Sequence, residues 1–447
     1  MHAQTDKVTD PALDAALAFT QTWLDHWFPH AGIPGVSLAV RQHGDLILSR
    51  AWGEANIIRH EKLTPQHLFR VASHSKMFTA TALGILQDRH LLKFEDELRT
   101  LLPWTKKSKT LGNLALWHLL SHTSGLPRNI DGMDYWETAY PDSHAFQEMT
   151  LKSKLVPVPR GSIKYSNVGY GILGAVIEAV SGQPYADFIK DNIIDPLGLQ
   201  QTYPDITKMD LQNLVTGYDF SRAAPENRPA FDSTFSTKAL AAANEIISTP
   251  ADITLFLSQQ SGKKQSVLSV KTHKDLCAHF RNVAENSAYA YGLGYERLRL
   301  KNHVFTGHSG SYPGQQTQSF YNKNLDLAAS VFVNEDGPHI ENIMQTLLTA
   351  ITFHLRYKLS GKTIKSHGDY FDPGTYYRTL VHNNHLHLFS FREDNPYECV
   401  EKFKRIEKDR YLIKNEGSFG SENEEIIFKK EKGRPVMRYG QSLFKKI

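Results

Sequence analysis

The sequence predicts an α+β fold, in which an antiparallel sheet is flanked by helices, with a small all-β domain at the C-terminus. Three observations predict it. Alternating apolar runs occur at both ends of the first 355 residues, helical periodicity fills the span between them, and the pattern changes after Lys358 to short β-like runs. Strands contributed from both ends of a chain segment pair most simply in one antiparallel sheet with the intervening helices packed on it.

At the N-terminal end, Val36 to Val40 and Leu46 to Ala51 flank a turn at His43-Gly44-Asp45 and read as a hairpin. At the other end, Val304 to Gly307, Gln318 to Tyr321 and Leu327 to Val333 read as strands, followed by a helix from about Glu341 to Leu355. Phe78, Ala82, Ile85 and Leu86 recur on one helical face, which predicts a helix from Ser73 to about Arg89. In it Ser73 is an N-cap or first-turn residue. A second helix is expected from about Val168 to Val180, stopped at Ser181-Gly182. Ser360-Gly361-Lys362 reads as a linker. Residues 1–358 are therefore expected to form the main domain, and residues 361–447 a small β-barrel or sandwich.

With 447 residues, 40% hydrophobic and 22% charged, the chain can bury a sizeable core. A formal charge of only +4 argues against a dedicated nucleic-acid binder. The two cysteines, Cys277 and Cys399, supply neither a disulfide framework nor a thiolate metal site, and two free thiols are expected. Leu13 to Phe28 is amphipathic, and no continuous apolar stretch reaches the length of a membrane span. A complete chain would be cytoplasmic; removal of a signal peptide would make the mature protein periplasmic.

Ser-x-x-Lys occurs three times, at Ser73, Ser261 and Ser442, so the tetrapeptide alone carries little information. What separates Ser73-His74-Ser75-Lys76 is its place at the start of a helix. There, positions i and i+3 share a face, so Lys76 projects beside Ser73. A lysine amine activates a serine hydroxyl once burial or positive potential lowers its pKa, and a helix N-terminus favours the oxyanion of acyl transfer. Among 19 tyrosines only Tyr165 has an asparagine two positions on, Asn167. The Tyr165 phenol can relay protons, and Asn167 would contact substrate or hold Lys76; otherwise Asn167 is a helix cap. In Gly307-His308-Ser309-Gly310-Ser311, at the end of a strand-like run, the glycines allow close approach of the backbone, and N–H groups there would serve an oxyanion hole.

In order, these segments resemble the serine β-lactamase and penicillin-binding-protein superfamily. The nearer likeness is to its class C-like branch of D-aminopeptidases, D,D-carboxypeptidases and esterases. The resemblance is carried by Phe69-Arg70-Val71-Ala72-Ser73-His74-Ser75-Lys76, by His118 to Pro127 (HLLSHTSGLP), by Tyr165-Ser166-Asn167, by Ile247-Ser248-Thr249-Pro250-Ala251-Asp252, and by Tyr291-Gly292-Leu293-Gly294-Tyr295 before the His308 segment. It spans roughly residues 30–355. It implies a mixed α/β lobe and a helical lobe with the site between them. Ser73 would be acylated, Lys76 and Tyr165 would share the general-base work, and the backbone N–H groups of Ser73 and Ser311 would form the oxyanion hole. Asn167 and the strand His308, Ser309, Gly310 and Ser311 would bind substrate, with no metal or organic cofactor needed. A looser likeness, through Gly368 to Tyr376, links the C-terminal part to the small β domains of some D-aminopeptidase-like members.

Two departures bear on substrate. His308 stands where many β-lactamases have lysine, exchanging a permanent cation for a mostly neutral group, so a free substrate carboxylate is less expected. Glu245, in Ala243-Asn244-Glu245, would favour a substrate amine if it lies near the pocket. His118 and His122 have zinc-compatible spacing but no third ligand nearby, so packing is expected; His385 and His387 are expected on a half-exposed strand face. No Gly-x-Ser-x-Gly elbow, phosphate loop or dinucleotide fingerprint is present. The expectation is a serine hydrolase acting on a small-molecule or short peptide amide or ester, a D-amino-acid peptide or small ester above a β-lactam. The alternatives are a class C-like β-lactamase or penicillin-binding protein, and a non-catalytic binding or scaffolding member. The sequence leaves the oligomeric state open.

Overall fold

A computed structural model describes residues 10–130, 140–159, 162–220, 227–259, 266–278, 281–283, 287–359, 365–372, 375–382, 385–398, 400–413, 424–439 and 442–447. The expected linker at Ser360-Gly361-Lys362, the Ser-x-x-Lys match at Ser261 and Cys399 lie outside the described residues. The chain divides into two compact units, residues 33–340 and residues 1–32 with 341–447.

The larger unit is built on a nine-stranded antiparallel sheet. Its order from edge to edge is Glu61–Lys62, Asp45–Asn56, Gly35–Gln42, Leu327–Val333, Gln315–Asn322, His303–Tyr312, Glu296–Leu300, Tyr289–Tyr291 and Arg281–Asn282. The first hairpin and the late strands thus meet at the centre, where Val36 pairs with Val333 and Val40 with Ala329. The hairpin turn is tight because His43 and Gly44 both take positive φ, 51° and 87°.

The helix Ser75–Asp88 is buried on every side, from Ser75 through Leu86, not only on the one apolar face that the periodicity marks. It runs through the middle of the unit, where Phe78 stacks on Phe256 with ring centroids 4.1 Å apart. A three-residue 3-10 turn, Ala72–His74, feeds into it. The helix Asn167–Ser181 is capped by the Ser166 side chain, which accepts from Gly169 N, and ends at Gly182 in the left-handed region. Asn167 is therefore its first residue and not its cap.

In the smaller unit, eight strands from Lys365–Asp372 to Ser442–Lys446 form a closed antiparallel barrel. Closure comes from Tyr370 pairing with Lys446 and Phe371 with Lys445, which removes both sheet edges. Leu386, Leu388, Phe403, Tyr411, Ile426 and Met437 fill its core. The strand His385–Ser390 is buried on both faces from Leu386 to Phe389. Phe389 packs edge-on to Phe19 of the helix Pro11–Ala31, and His387 packs edge-on to Phe353 of the helix His339–Leu359. The face that the sequence marks as half-exposed at His387 is thus covered. Trp23 and Trp27 of the N-terminal helix donate to Glu393 O and Asp394 Oδ1. Among the described residues no helix is long and apolar enough to cross a membrane.

Candidate active site

Ser73 occupies the 3-10 turn between a short strand and the buried helix, and that turn is fixed from several directions. Phe69–Arg70 pairs with Ile247–Ser248, and Val71 N donates to Ile246 O at 3.0 Å. Ser75 Oγ donates to Ala72 O (2.7 Å) and accepts from Ile246 N (3.0 Å). These contacts hold Ala72 at φ 48°, a left-handed conformation that costs a non-glycine residue on the order of 1 kcal/mol and persists only where the surroundings impose it. Val71 holds the cap position of this turn, so Ser73 lies within the turn and is not its cap.

That hydroxyl is instead the meeting point of two donors. Lys76 Nζ lies 2.9 Å from Ser73 Oγ, and Tyr165 OH lies 2.8 Å from it. Lys76 also donates to Ala243 O at 2.9 Å. Its side chain is fully buried, and burial, then the nearby Arg128 guanidinium, holds its pKa well below that of an ordinary lysine. A lysine amine that gives up its proton can accept as well as donate, so the 2.9 Å contact can then carry a proton in either direction. The Tyr165 ring lies against three basic groups: Lys76 Nζ at 4.8 Å and Arg128 Cζ at 5.1 Å from its centroid, and the His122 ring at 4.1 Å.

Asn167 sits beside this group at the start of its helix, where its Nδ2 donates to Asn129 Oδ1 at 2.8 Å and its backbone N–H to Arg128 O. The turn carrying Arg128 and Asn129 is thereby tied to the Tyr165 segment. His122 takes its place through Nδ1, which accepts from Ser166 N at 3.0 Å, and His118 Nδ1 accepts from Ala115 N at 3.0 Å. Both histidines are used in packing and backbone capping. Among the described residues no three His, Cys, Asp or Glu side chains converge on a metal-sized site. Cys277 is a free thiol whose pKa burial pushes up to about 12.

The His308 segment lies inside the strand His303–Tyr312, not at its end, with His308 opposite Ser319, Ser309 opposite Gln318 and Gly310 opposite Thr317. Gly310 brings this strand against the Ser73 turn. A Cβ there would collide with the Val71 carbonyl and Thr317 Oγ1, and would lie 3.1 Å from His74 Nδ1. Ser311, the next residue, is exposed. His308 is buried, its Nε2 is 2.9 Å from Tyr291 OH, and burial followed by the Lys76 charge keeps it well below the usual histidine range. The His308 side chain is therefore uncharged near neutral pH.

Glu245 is closed off from any approaching amine. It is fully buried, with Oε2 3.7 Å from Arg70 Nη1, and it accepts from the Thr237 amide at 2.7 Å and from the Thr237 hydroxyl. Arg70 in turn donates to Ser233 O and Phe235 O and lies over the Tyr312 ring. The carboxylate that does reach the His308 strand is one that the sequence reading passes over, Glu296. Its Oε1 accepts from Ser309 Oγ at 2.7 Å and lies 3.5 Å from His308 Nδ1, and its Oε2 accepts from Ser309 N at 3.1 Å. Burial pushes its carboxyl up to about 7 although 14% of the side chain stays exposed. The available signal was an acid placed directly after the Tyr291–Tyr295 glycine motif.

A family model described as Beta-lactamase matches residues 12–351. The chain is 23% identical over 365 residues to Protein flp of Staphylococcus aureus (strain MW2), covering 80% of this chain and 71% of that protein. Among solved structures, D-amino acid amidase from Ochrobactrum anthropi SV3 superposes with a TM-score of 0.67 at 23% identity, over 78% of this chain and 99% of the amidase. The octameric penicillin-binding protein homologue from Pyrococcus abyssi superposes with a TM-score of 0.64 at 18% identity, over 96% of this chain and all of that one.

Proposed function

Because this chain belongs to the β-lactamase family, we propose that it is a serine hydrolase that cleaves an amide or ester through an acyl-enzyme on Ser73. The observation that carries this reading is the convergence of Lys76 Nζ and Tyr165 OH on one hydroxyl, Ser73 Oγ, within 2.9 Å. In the reaction Ser73 Oγ attacks the substrate carbonyl while its proton passes to the Lys76–Tyr165 pair. The tetrahedral oxyanion forms at the N-terminus of the helix Ser75–Asp88, with the backbone N–H groups of Ser73 and Ser311 assigned as donors. Collapse breaks the bond to the leaving group, which takes the proton back from Tyr165 or Lys76. A water, deprotonated by the same pair, then cleaves the acyl-enzyme and restores the Ser73 hydroxyl.

The preferred substrate in this reading is a D-amino-acid amide or peptide, or a small ester, above a β-lactam. Two observations favour it. His308 is uncharged where a cation would hold a free carboxylate, and a relative of the same fold is a D-amino acid amidase. The test is a turnover screen of the wild type and Ser73→Ala with p-nitrophenyl acetate, nitrocefin and D-alanine p-nitroanilide. Turnover of the ester or anilide that Ser73→Ala loses is expected. Equal turnover by the variant, or nitrocefin as the best substrate, would contradict the reading.

A further inference from the structure

We propose that Glu296 is a specificity-determining residue that receives a positively charged substrate group, an ammonium, beside Ser309. The inference rests on the acyl-enzyme reading of the site and names the class of substrate that it takes. Among the described residues, Glu296 is the carboxylate in hydrogen-bond contact with the strand that carries Ser309 and Gly310. Gly310 lies against the turn that carries Ser73, so a substrate acylating Ser73 passes along that strand. Lys76 and Arg128 make their hydrogen-bond and ring contacts elsewhere, and the basic group beside Glu296 is His308, with Nδ1 3.5 Å away. Lys76 is turned toward Ser73 Oγ and Ala243 O, and Arg128 stands over the Tyr165 ring. Glu245, the acid that the sequence reading weighed for this role, is paired with Arg70.

A purely architectural role for Glu296 has to be weighed against this. The ladder between Glu296–Leu300 and His303–Gly307 ends at the Glu296–Gly307 pair, and the Glu296 carboxylate accepts the next inward-facing amide, Ser309 N. That task needs an acceptor, which a glutamine side chain also supplies. It does not need an ionisable group left partly open to solvent, and two accepted hydrogen bonds leave acceptor positions on the carboxylate unused. Glu296→Gln therefore separates the two roles, since it keeps the cap and removes the charge.

The experiment measures how D-alanine amide and N-acetyl-D-alanine amide slow fluorophosphonate labelling of Ser73. In the wild type the free amine is expected to halve the labelling rate at a concentration at least tenfold lower than its acetylated form. In Glu296→Gln the two should protect within threefold of one another, and Glu296→Asp should retain the preference because it keeps the charge. Equal protection in the wild type, no protection by either amide, or an unchanged ratio in Glu296→Gln overturns the inference. Should Glu296→Gln fail to label, the wild-type ratio and Glu296→Asp still decide it. Absence of any labelling at Ser73 in the wild type defeats the acyl-enzyme reading itself, which is a distinct result.

Discussion

Lys76 Nζ stands 4.8 Å from the centre of the Tyr165 ring, and both residues direct a polar hydrogen at Ser73 Oγ. The arrangement places a buried amine, a phenol and a hydroxyl in one proton-sharing group with no solvent between them. Each member depends on the others, so replacements should fail in distinguishable ways.

Lys76→Arg keeps a cation but removes a group able to give up its proton, because a guanidinium stays charged in proteins. Acylation should fall by roughly 1,000-fold, within the range of general acid–base contributions. Stopped-flow measurement of the acylation step with p-nitrophenyl acetate checks this, and a loss below tenfold would remove Lys76 from the base role.

Tyr165→Phe leaves the ring between Lys76, Arg128 and His122 but deletes the hydroxyl. A drop in kcat of about 100-fold or more, with KM changed much less, is the expected signature of a lost proton relay.

Gly310→Ala drives a methyl group into the Val71 carbonyl and Thr317 Oγ1. Overpacking of this kind costs about 1–3 kcal/mol. Because the displaced strand borders the Ser73 turn, activity should fall further than stability. Thermal melting and turnover on the same sample separate the two.

The Arg70–Glu245 pair is fully buried, with both partners also hydrogen-bonded. Arg70→Met alone should destabilise the protein by about 3–5 kcal/mol, because it leaves an uncompensated carboxylate. Arg70→Met with Glu245→Leu should recover part of that loss in urea titrations.

Glu296 adds a pH dependence whose sign follows from its raised carboxyl, about 7 in the folded protein against 4.5 as the ordinary value. Between those values the folded state holds more of this proton than the unfolded state does. Its contribution is then fully present below about pH 4.5 and is lost as pH rises through 7. Wild-type stability relative to Glu296→Gln should therefore decline from pH 5 to pH 7.5. A constant difference would mean that the carboxyl is not shifted.

The placement of Lys76 beside Ser73 was legible because residues three apart on helical backbone are neighbours, but only the surrounding segments set this pair apart from the two other Ser-x-x-Lys matches. Tyr165 and the His308 strand became legible only as members of an ordered set of segments. Glu296 was not, since its role depends on a strand register that sets it opposite Gly307 and leaves its side chain to meet Ser309. Glu245 misled for the same reason. Sequence position put it two residues after Ala243, whose carbonyl accepts Lys76, while tertiary packing turned it onto Arg70. The hairpin at His43-Gly44 and the stop at Gly182 were readable from local backbone chemistry. The grouping of the N-terminal helix with the barrel was not, because Trp23 and Trp27 find their partners some 370 residues away.

The acyl-enzyme itself is the most direct test. Intact mass spectrometry after treatment with a fluorophosphonate should show one covalent adduct, mapped to the peptide containing Ser73 and absent in Ser73→Ala. An adduct of equal yield in Ser73→Ala, or one mapped to another residue, would contradict the account.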